Sequence, residues 1–214
     1  HSLVKSDGHE ISPKDVNVGT ELLHHTLPKP IQIDNTLTIN EARILGMFFG
    51  DGSCGVYECT SGKKSSWAIN NSCIVLLEKY QALCSIVYPD FEWKILPTLE
   101  SSGVYKLVPS SSTYGGVVEF VKHYRHMMYD DNKAKIIPSI VFASDETIRN
   151  AFFEGIYDAD GDKDASQYMR IDQKNQVSAA HISWLAQTLG WNTSINTRLD
   201  KPDVYRITMT KRTQ

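Results

Sequence analysis

A nine-residue pattern occurs twice in this chain, and few folds satisfy both copies. In the second, Phe153 to Gly161, an apolar helical run ends with an acid, Asp160, in its last turn. A carboxylate there opposes the negative end of the helix macrodipole at a cost of about 0.3–1 kcal/mol, so the position has another use. Gly161 supplies an ordinary helix stop. The first copy, Ile44 to Gly52, lies 109 residues earlier and pairs Gly46 with Gly155, Gly50 with Ala159, Asp51 with Asp160 and Gly52 with Gly161. Small residues four apart share one helical face, which lets two backbones approach more closely than the usual distance of about 8–10 Å. Two such helices side by side bring their terminal acids together, the geometry for gripping a divalent cation and a phosphodiester.

Both segments resemble the LAGLIDADG, or dodecapeptide, motif of homing endonucleases, in a chain carrying two copies as the monomeric members do. The second copy is close to the consensus. The first has Phe49 where many members carry an acid and Gly50 in place of alanine, yet keeps the glycine and the Asp-Gly ending. The resemblance runs from Ile39 to the C-terminus. It implies an α+β fold of two pseudo-symmetric αββαββ(α) repeats, with the motif helices packed at the centre and antiparallel sheets forming a saddle over the DNA major groove. It further implies a monomer that cuts both strands of double-stranded DNA at a long asymmetric site. Hydrolysis would be Mg²⁺-dependent, leaving short 3′ overhangs, with two or three divalent ions between Asp51 and Asp160; Ca²⁺ would support binding without cutting.

At 214 residues, 41% apolar and 22% charged, the chain has the composition of a soluble globular protein with a substantial core. No apolar run reaches membrane-spanning length and no secretory signal opens the chain, so an intracellular setting is expected, cytoplasmic or nuclear, with no membrane partner. Cys54, Cys59, Cys73 and Cys84 form no C-x-x-C pair and read as reduced thiols. The net charge of −3 does not mark a polyanion binder. Its distribution is more telling: after Asp164 the chain carries Arg170, Lys174, Arg198, Lys201, Arg206, Lys211 and Arg212 against Asp172, Asp200 and Asp203, so one face can be basic.

Taken in order, residues 1–36 suggest short strands and turns without a long helix. They resemble the part of an intein splicing domain that follows its block-B histidine, which His1 would supply; inteins of family B DNA polymerases look the nearest kind. The chain ends in Thr213-Gln214 and not in the His-Asn pair of a splice junction, so splicing by this chain alone is not expected. Residues 37–143 form the first repeat and 144–214 the second. Thr38 to Glu41 is a capping box that starts the first motif helix. Two strands follow from Ser53 to about Asn70 through a polar turn, Thr60 to Ser65. A helix of 3.6-residue period capped by Asn71 or Ser72 comes next, then strands near Phe91 to Leu96 and Val104 to Val108, and a closing helix from Tyr114 to Met128. Ser144 or Asp145 caps the second motif helix. A strand near Gln167 to Gln173, a helix from Gln176 to Leu189 and strands near Thr193 to Arg198 and Val204 to Met209 complete the second repeat, which lacks a closing helix.

Asp51 and Asp160 are the expected metal-binding and catalytic carboxylates, since a cation held between oxygens relieves their repulsion and assists attack on phosphate. Taken singly, each is also an ordinary Asp-Gly turn. Lys135, before the second motif helix, is the expected basic catalytic residue by resemblance, with Lys133 as its rival and Arg170 or Lys211 as candidates in the second half. The alternation Asp158, Asp160, Asp162, Asp164 fails as a calcium loop, with Lys163 where glycine is needed and Met169 where glutamate is needed. His123 and His126 share a helix face but lack a third ligand. DNA contacts are expected from alternate strand residues: Lys63, Lys64, Trp67, Lys106, Arg170, Gln173, Lys174, Arg198, Arg206 and Lys211. A DNA-binding module that has lost cleavage, and a fragment of a splicing element, are the rival readings.

Overall fold

The computed structural model describes residues 2–23, 36–60, 62–99, 102–113, 115–162 and 168–211. His1, Tyr114, Asp164 and the final residues Thr213-Gln214, on which expectations were placed, lie outside them. The N-terminal piece pairs two short strands, β1 (Leu3–Val4) and β2 (Glu10–Ile11), followed by a 3-10 turn at Pro13–Asp15 and a bridge between Lys5 and Leu22.

Thr38 then opens the first long helix, α1 (Ile39–Asp51). Its Oγ1 accepts the Glu41 N–H at 3.2 Å, and the Glu41 carboxylate accepts the Thr38 N–H at 2.8 Å, the reciprocal capping the sequence calls for. Thr38→Ala is expected to cost about 1 kcal/mol. In a chain of this size that lowers the melting temperature by roughly 2–4 °C, which a thermal melt followed by circular dichroism measures.

The first repeat continues with β3 (Gly52–Cys59), β4 (Gly62–Asn71), α2 (Ile74–Val87), β5 (Glu92–Pro97), β6 (Tyr105–Ser110) and α3 (Gly116–Met128). The hairpin is tighter than the sequence suggests: Cys59 pairs with Gly62 and Tyr57 with Lys64, so residues 62–65 belong to β4 and not to the turn. Cys73, not Asn71 or Ser72, is the N-cap of α2. A short helix, α4 (Ser139–Ala143), that periodicity does not reveal precedes the second motif helix, α5 (Glu146–Asp160), which Asp145 caps by accepting the Ile148 N–H at 2.9 Å. The second repeat then runs β7 (Met169–Gln173), α6 (Gln176–Thr188), β8 (Trp191–Thr197) and β9 (Tyr205–Lys211).

The strands form two antiparallel sheets, in the order β3-β4-β6-β5 and β7-β9-β8. Their registers repeat. Gly52 lies opposite Ile69, Ile69 opposite Leu107, and Leu107 opposite Ile95. In the second half Gly161 lies opposite Ile171, Ile171 opposite Ile207, and Ile207 opposite Ile195. The glycine after each motif acid therefore begins the same row of side chains, buried at Ile69 and Leu107 in one sheet and at Ile171 and Ile207 in the other. Of the first of two strands expected before α6, the described residues hold only that Gly161 bridge and the Asp162 N–H to Arg170 carbonyl bond of 2.9 Å.

Because side chains alternate along a strand, Ile69 on the core face fixes Trp67 there too. Trp67 is 1% exposed, its ring stacked 5.1 Å from Phe48 and edge-on to Tyr124 at 5.4 Å and Trp93 at 5.3 Å. The expectation of a DNA contact at Trp67 is thus corrected: parity places it in the core. No helix among the described residues is long and apolar enough to cross a membrane.

The motif helices α1 and α5 meet along their small residues. A Cβ on Gly46 would sit 2.0 Å from the Phe152 carbonyl oxygen, and one on Gly155 would sit 2.3 Å from the Arg43 carbonyl oxygen. One turn on, a Cβ on Gly50 would lie 2.5 Å from Ala159 Cβ and 3.0 Å from Asp160 Oδ2. The contacts advance together along both helices, so the two run parallel and end at one place. Arg43 fastens the crossing, donating to Glu154 and, at 3.0 Å, to Asp158. Asp158 also accepts from Lys79 Nζ at 2.9 Å and Tyr80 Oη at 2.7 Å, both on α2.

A candidate active site at the ends of the paired helices

Asp51 and Asp160 each terminate a motif helix, and each takes a side-chain amide from the neighbouring strand. Asn71 Nδ2 donates to Asp51 Oδ2, and Gln173 Nε2 donates to Asp160 Oδ2 at 2.8 Å. Asn71 and Gln173 stand two residues beyond Ile69 and Ile171 in the matched rows, so the two acids have equivalent supports. By sequence Asn71 is expected as a helix cap and Gln173 as a DNA contact. Their common position in the two repeats is the signal that could have found them.

Burial, and then the neighbouring Asp51 carboxylate, push the Asp160 carboxyl up to about 6, against the opposing pull of Lys135 and the Gln173 amide. Lys135 enters from the segment after α3, where it bridges Tyr129. Its ammonium donates to the carbonyls of Phe48, Phe49 and Gly50 at 3.1, 2.9 and 3.0 Å, closing the last turn of α1 where the helix dipole is negative. Burial pushes Lys135 down to about 8, while Asp160 and Asp51 act the other way. Lys133 is exposed, with φ of 64° in the turn after Asp130, and lines a groove beside α3 with Arg125 and His126.

The alternating acids have different partners. Asp158 turns to Arg43 and α2, Asp160 to Gln173, and Asp162 lies 3.6 Å from Arg170. Among the described residues no group of three or more His, Cys, Asp or Glu is arranged to hold a metal. The donors that converge are two carboxylates, the charge of Asp51 raising the proton affinity of Asp160. That set fits a divalent cation whose remaining positions come from water and substrate oxygens.

No family model matches the chain. It is 38% identical over 217 residues to a DNA polymerase of Acanthamoeba polyphaga mimivirus, a match covering 100% of this chain and 12% of that protein. A DNA polymerase of Thermococcus sp. (strain GE8) is 36% identical over 73 residues, 34% of this chain and 4% of that protein. The chain thus spans only a small part of the curated relatives it matches. Among solved structures, the homing endonuclease I-DmoI in complex with DNA and Mn superposes with a TM-score of 0.54 at 20% identity, covering 80% of this chain and 89% of that one. I-DmoI in complex with DNA and Ca gives 0.55 at 20% identity, covering 80% and 82%. The chain has the fold of the LAGLIDADG homing endonucleases.

In this LAGLIDADG fold the outer faces of the sheets carry residues of the opposite parity to the core rows. Lys64 and Lys106 occupy that face in the first sheet, and Arg170 and Arg206 in the second. Lys174 is exposed just past β7. Arg198, just past β8, converges with Arg206 on Asp172. The Lys63 side chain lies outside the described residues. Lys211 shares the parity of the buried Met209 and Ile207, opposite Trp191, with its Nζ 6.0 Å from that ring centroid. It stands at the far end of β9 from Tyr205, the residue opposite Gln173. Arg170, in contrast, lines a cleft of about 270 Å³ with Asp160, Asp162, Asp172 and Arg206.

Proposed function

We propose that this chain is a site-specific endonuclease acting on double-stranded DNA, with Asp51 and Asp160 as one metal-binding catalytic pair. The observation that carries the reading is the meeting of the two acids at the ends of parallel glycine-faced helices, each acid supported by an equivalent amide. The fold is that of proteins solved with DNA and divalent metals. On this reading residues 37–143 and 144–214 are the two repeats, residues 1–36 are a piece of a splicing domain, and the chain belongs to a DNA polymerase as an inserted element. The polymerase relatives support that last point.

Asp51 and Asp160 would hold a divalent cation such as Mg²⁺, which would supply charge stabilisation and water activation for phosphodiester hydrolysis. The chain's own residues prepare the place. Asn71 and Gln173 orient the carboxylates, and the converging backbones of α1 and α5 keep them together. Lys135 holds a proton on Nζ below about pH 8, a positive charge beside the position where a phosphate gains negative charge. Arg170, on the outer face beside Asp160, is the basic residue of the second half best placed for the same task.

The test is cleavage of a plasmid library in Mg²⁺ beside a gel shift in Ca²⁺. Cutting at a few sites is expected; binding without cutting would favour a module that has lost its chemistry. Affinity should also fall by about 10³-fold or more between 50 and 200 mM salt if six or more phosphates are contacted. A flat response would show that the sheets' outer faces are not the DNA surface.

A further inference from the structure

Resting on the reading of the chain as a DNA endonuclease, we infer that Arg206 reads a guanine beside the cut in the second half-site, with Asp172 as the residue that positions it. Arg206 stands on the outer face of β9, the middle strand of its sheet, and its side chain is 37% exposed. Asp172, directly opposite on β7, grips it side-on: Nε donates to Oδ1 at 2.8 Å and Nη2 to Oδ2 at 2.9 Å. Arg198 Nη1 donates to the same Oδ2 at 2.7 Å and holds the carboxylate from its other flank.

A guanidinium held along its Nε–Nη2 side is fixed in plane and direction, while its Nη1–Nη2 edge still has two parallel N–H groups to offer. Nη1 of Arg206 makes no hydrogen bond among the described residues. That edge matches the O6 and N7 acceptors of guanine in the major groove. Asp172 remains ionised because its carboxyl is held below the ordinary range, first by Arg206. Arg206 shares a cleft with Asp160, so the base it reads lies among those nearest the scissile phosphate.

Among the described residues the first repeat shows no such device at the matching places. Its residues at the matching places are Asn70, opposite Lys106. Asn70 donates to the Asp51 carbonyl at 3.4 Å, and a lysine is a mobile point charge without a fork. The guanine requirement therefore belongs to one half-site only, and the position related to it by the pseudo-twofold tolerates substitution.

Binding-site selection from a randomised double-stranded DNA pool in Ca²⁺, followed by competition with every single-base variant of the selected duplex, tests this. Wild-type protein should prefer guanine at one position near the centre of the second half-site by about 10- to 100-fold. Arg206→Ala and Arg206→Lys should reduce the preference at that position to about threefold or less. Asp172→Asn should weaken it there and leave the other positions unchanged. An ion pair that serves only the fold would lower the melting temperatures of these variants without altering base preference, and that result overturns the inference. So does a loss spread evenly over all positions, which marks a phosphate contact. A pool from which no sequence is enriched overturns DNA recognition itself, and this inference with it.

Discussion

Asp160→Asn is expected to stabilise the metal-free protein and, on the proposed reading, to remove cleavage. In the folded chain the Asp160 carboxyl is pushed up to about 6 from an ordinary 3.8. The folded state therefore binds the proton more tightly than the unfolded chain does, and the stability this gives is fully present below pH 3.8 and lost as pH rises through 6. Above that, at pH 7–8, the ionised carboxylate burdens the fold by roughly 3 kcal/mol. Asparagine removes the charge and keeps an oxygen to accept the Gln173 amide, so about 1–3 kcal/mol should be recovered, raising the melting temperature by roughly 2–12 °C. Cleavage should fall by about 10³-fold or more, the scale of losing a group that stabilises charge at a reaction centre. DNA affinity in Ca²⁺ should stay within about tenfold, or 1.4 kcal/mol. A variant that melts lower and cuts at the wild-type rate would contradict both roles given to Asp160.

Gly155→Ala has the opposite sign on stability. Its new methyl carbon would lie 2.3 Å from the Arg43 carbonyl oxygen, 2.7 Å from the Met47 nitrogen and 3.0 Å from the Gly46 carbonyl carbon. All three are backbone atoms of α1, so no rotamer change relieves the clash and the helices must separate. Overpacking of this kind costs about 1–3 kcal/mol and sometimes more, against roughly 1 kcal/mol gained because alanine favours helix over glycine. With rigid backbone on the other side the cost dominates. The net loss should lie near the upper end of that difference, about 2 kcal/mol, a fall of roughly 4–8 °C in melting temperature. Separation also displaces Asp160 from Asp51, so the fraction that remains folded should cut more slowly. A melting temperature equal to or above wild type would show that the helices do not cross this closely.

The parts of the architecture readable from residues were those that local chemistry dictates twice. The capping box at Thr38, the cap at Asp145 and the pairing of Gly46 with Gly155 each need only neighbours in sequence or the offset between motifs. Trp67 illustrates what was not readable: alternation specifies two faces, but which one is buried depends on Phe48 and Tyr124 arriving from two different helices. Asn71 looked like a cap because asparagine before a helix ordinarily is one. Here its amide goes to Asp51, while its Oδ1 accepts only the Cys73 N–H at 2.8 Å. Arg206 is expected from sequence to contact DNA, but its pairing with Asp172 follows from the register of β7 with β9 and has no local signal. Partners set by long-range pairing carry no local signature, so the acids were located from sequence and their supports were not.

Carboxyl ¹³C NMR titration of Asp160 in the metal-free protein shows whether Asp51 and Asp160 form one electrostatic unit. In the wild type Asp160 should titrate near 6. In Asp51→Asn its midpoint should move down, yet stay above 3.8 because burial, the larger cause of the shift, persists. A midpoint unchanged by removal of the Asp51 charge would mean that the two carboxylates do not share a site.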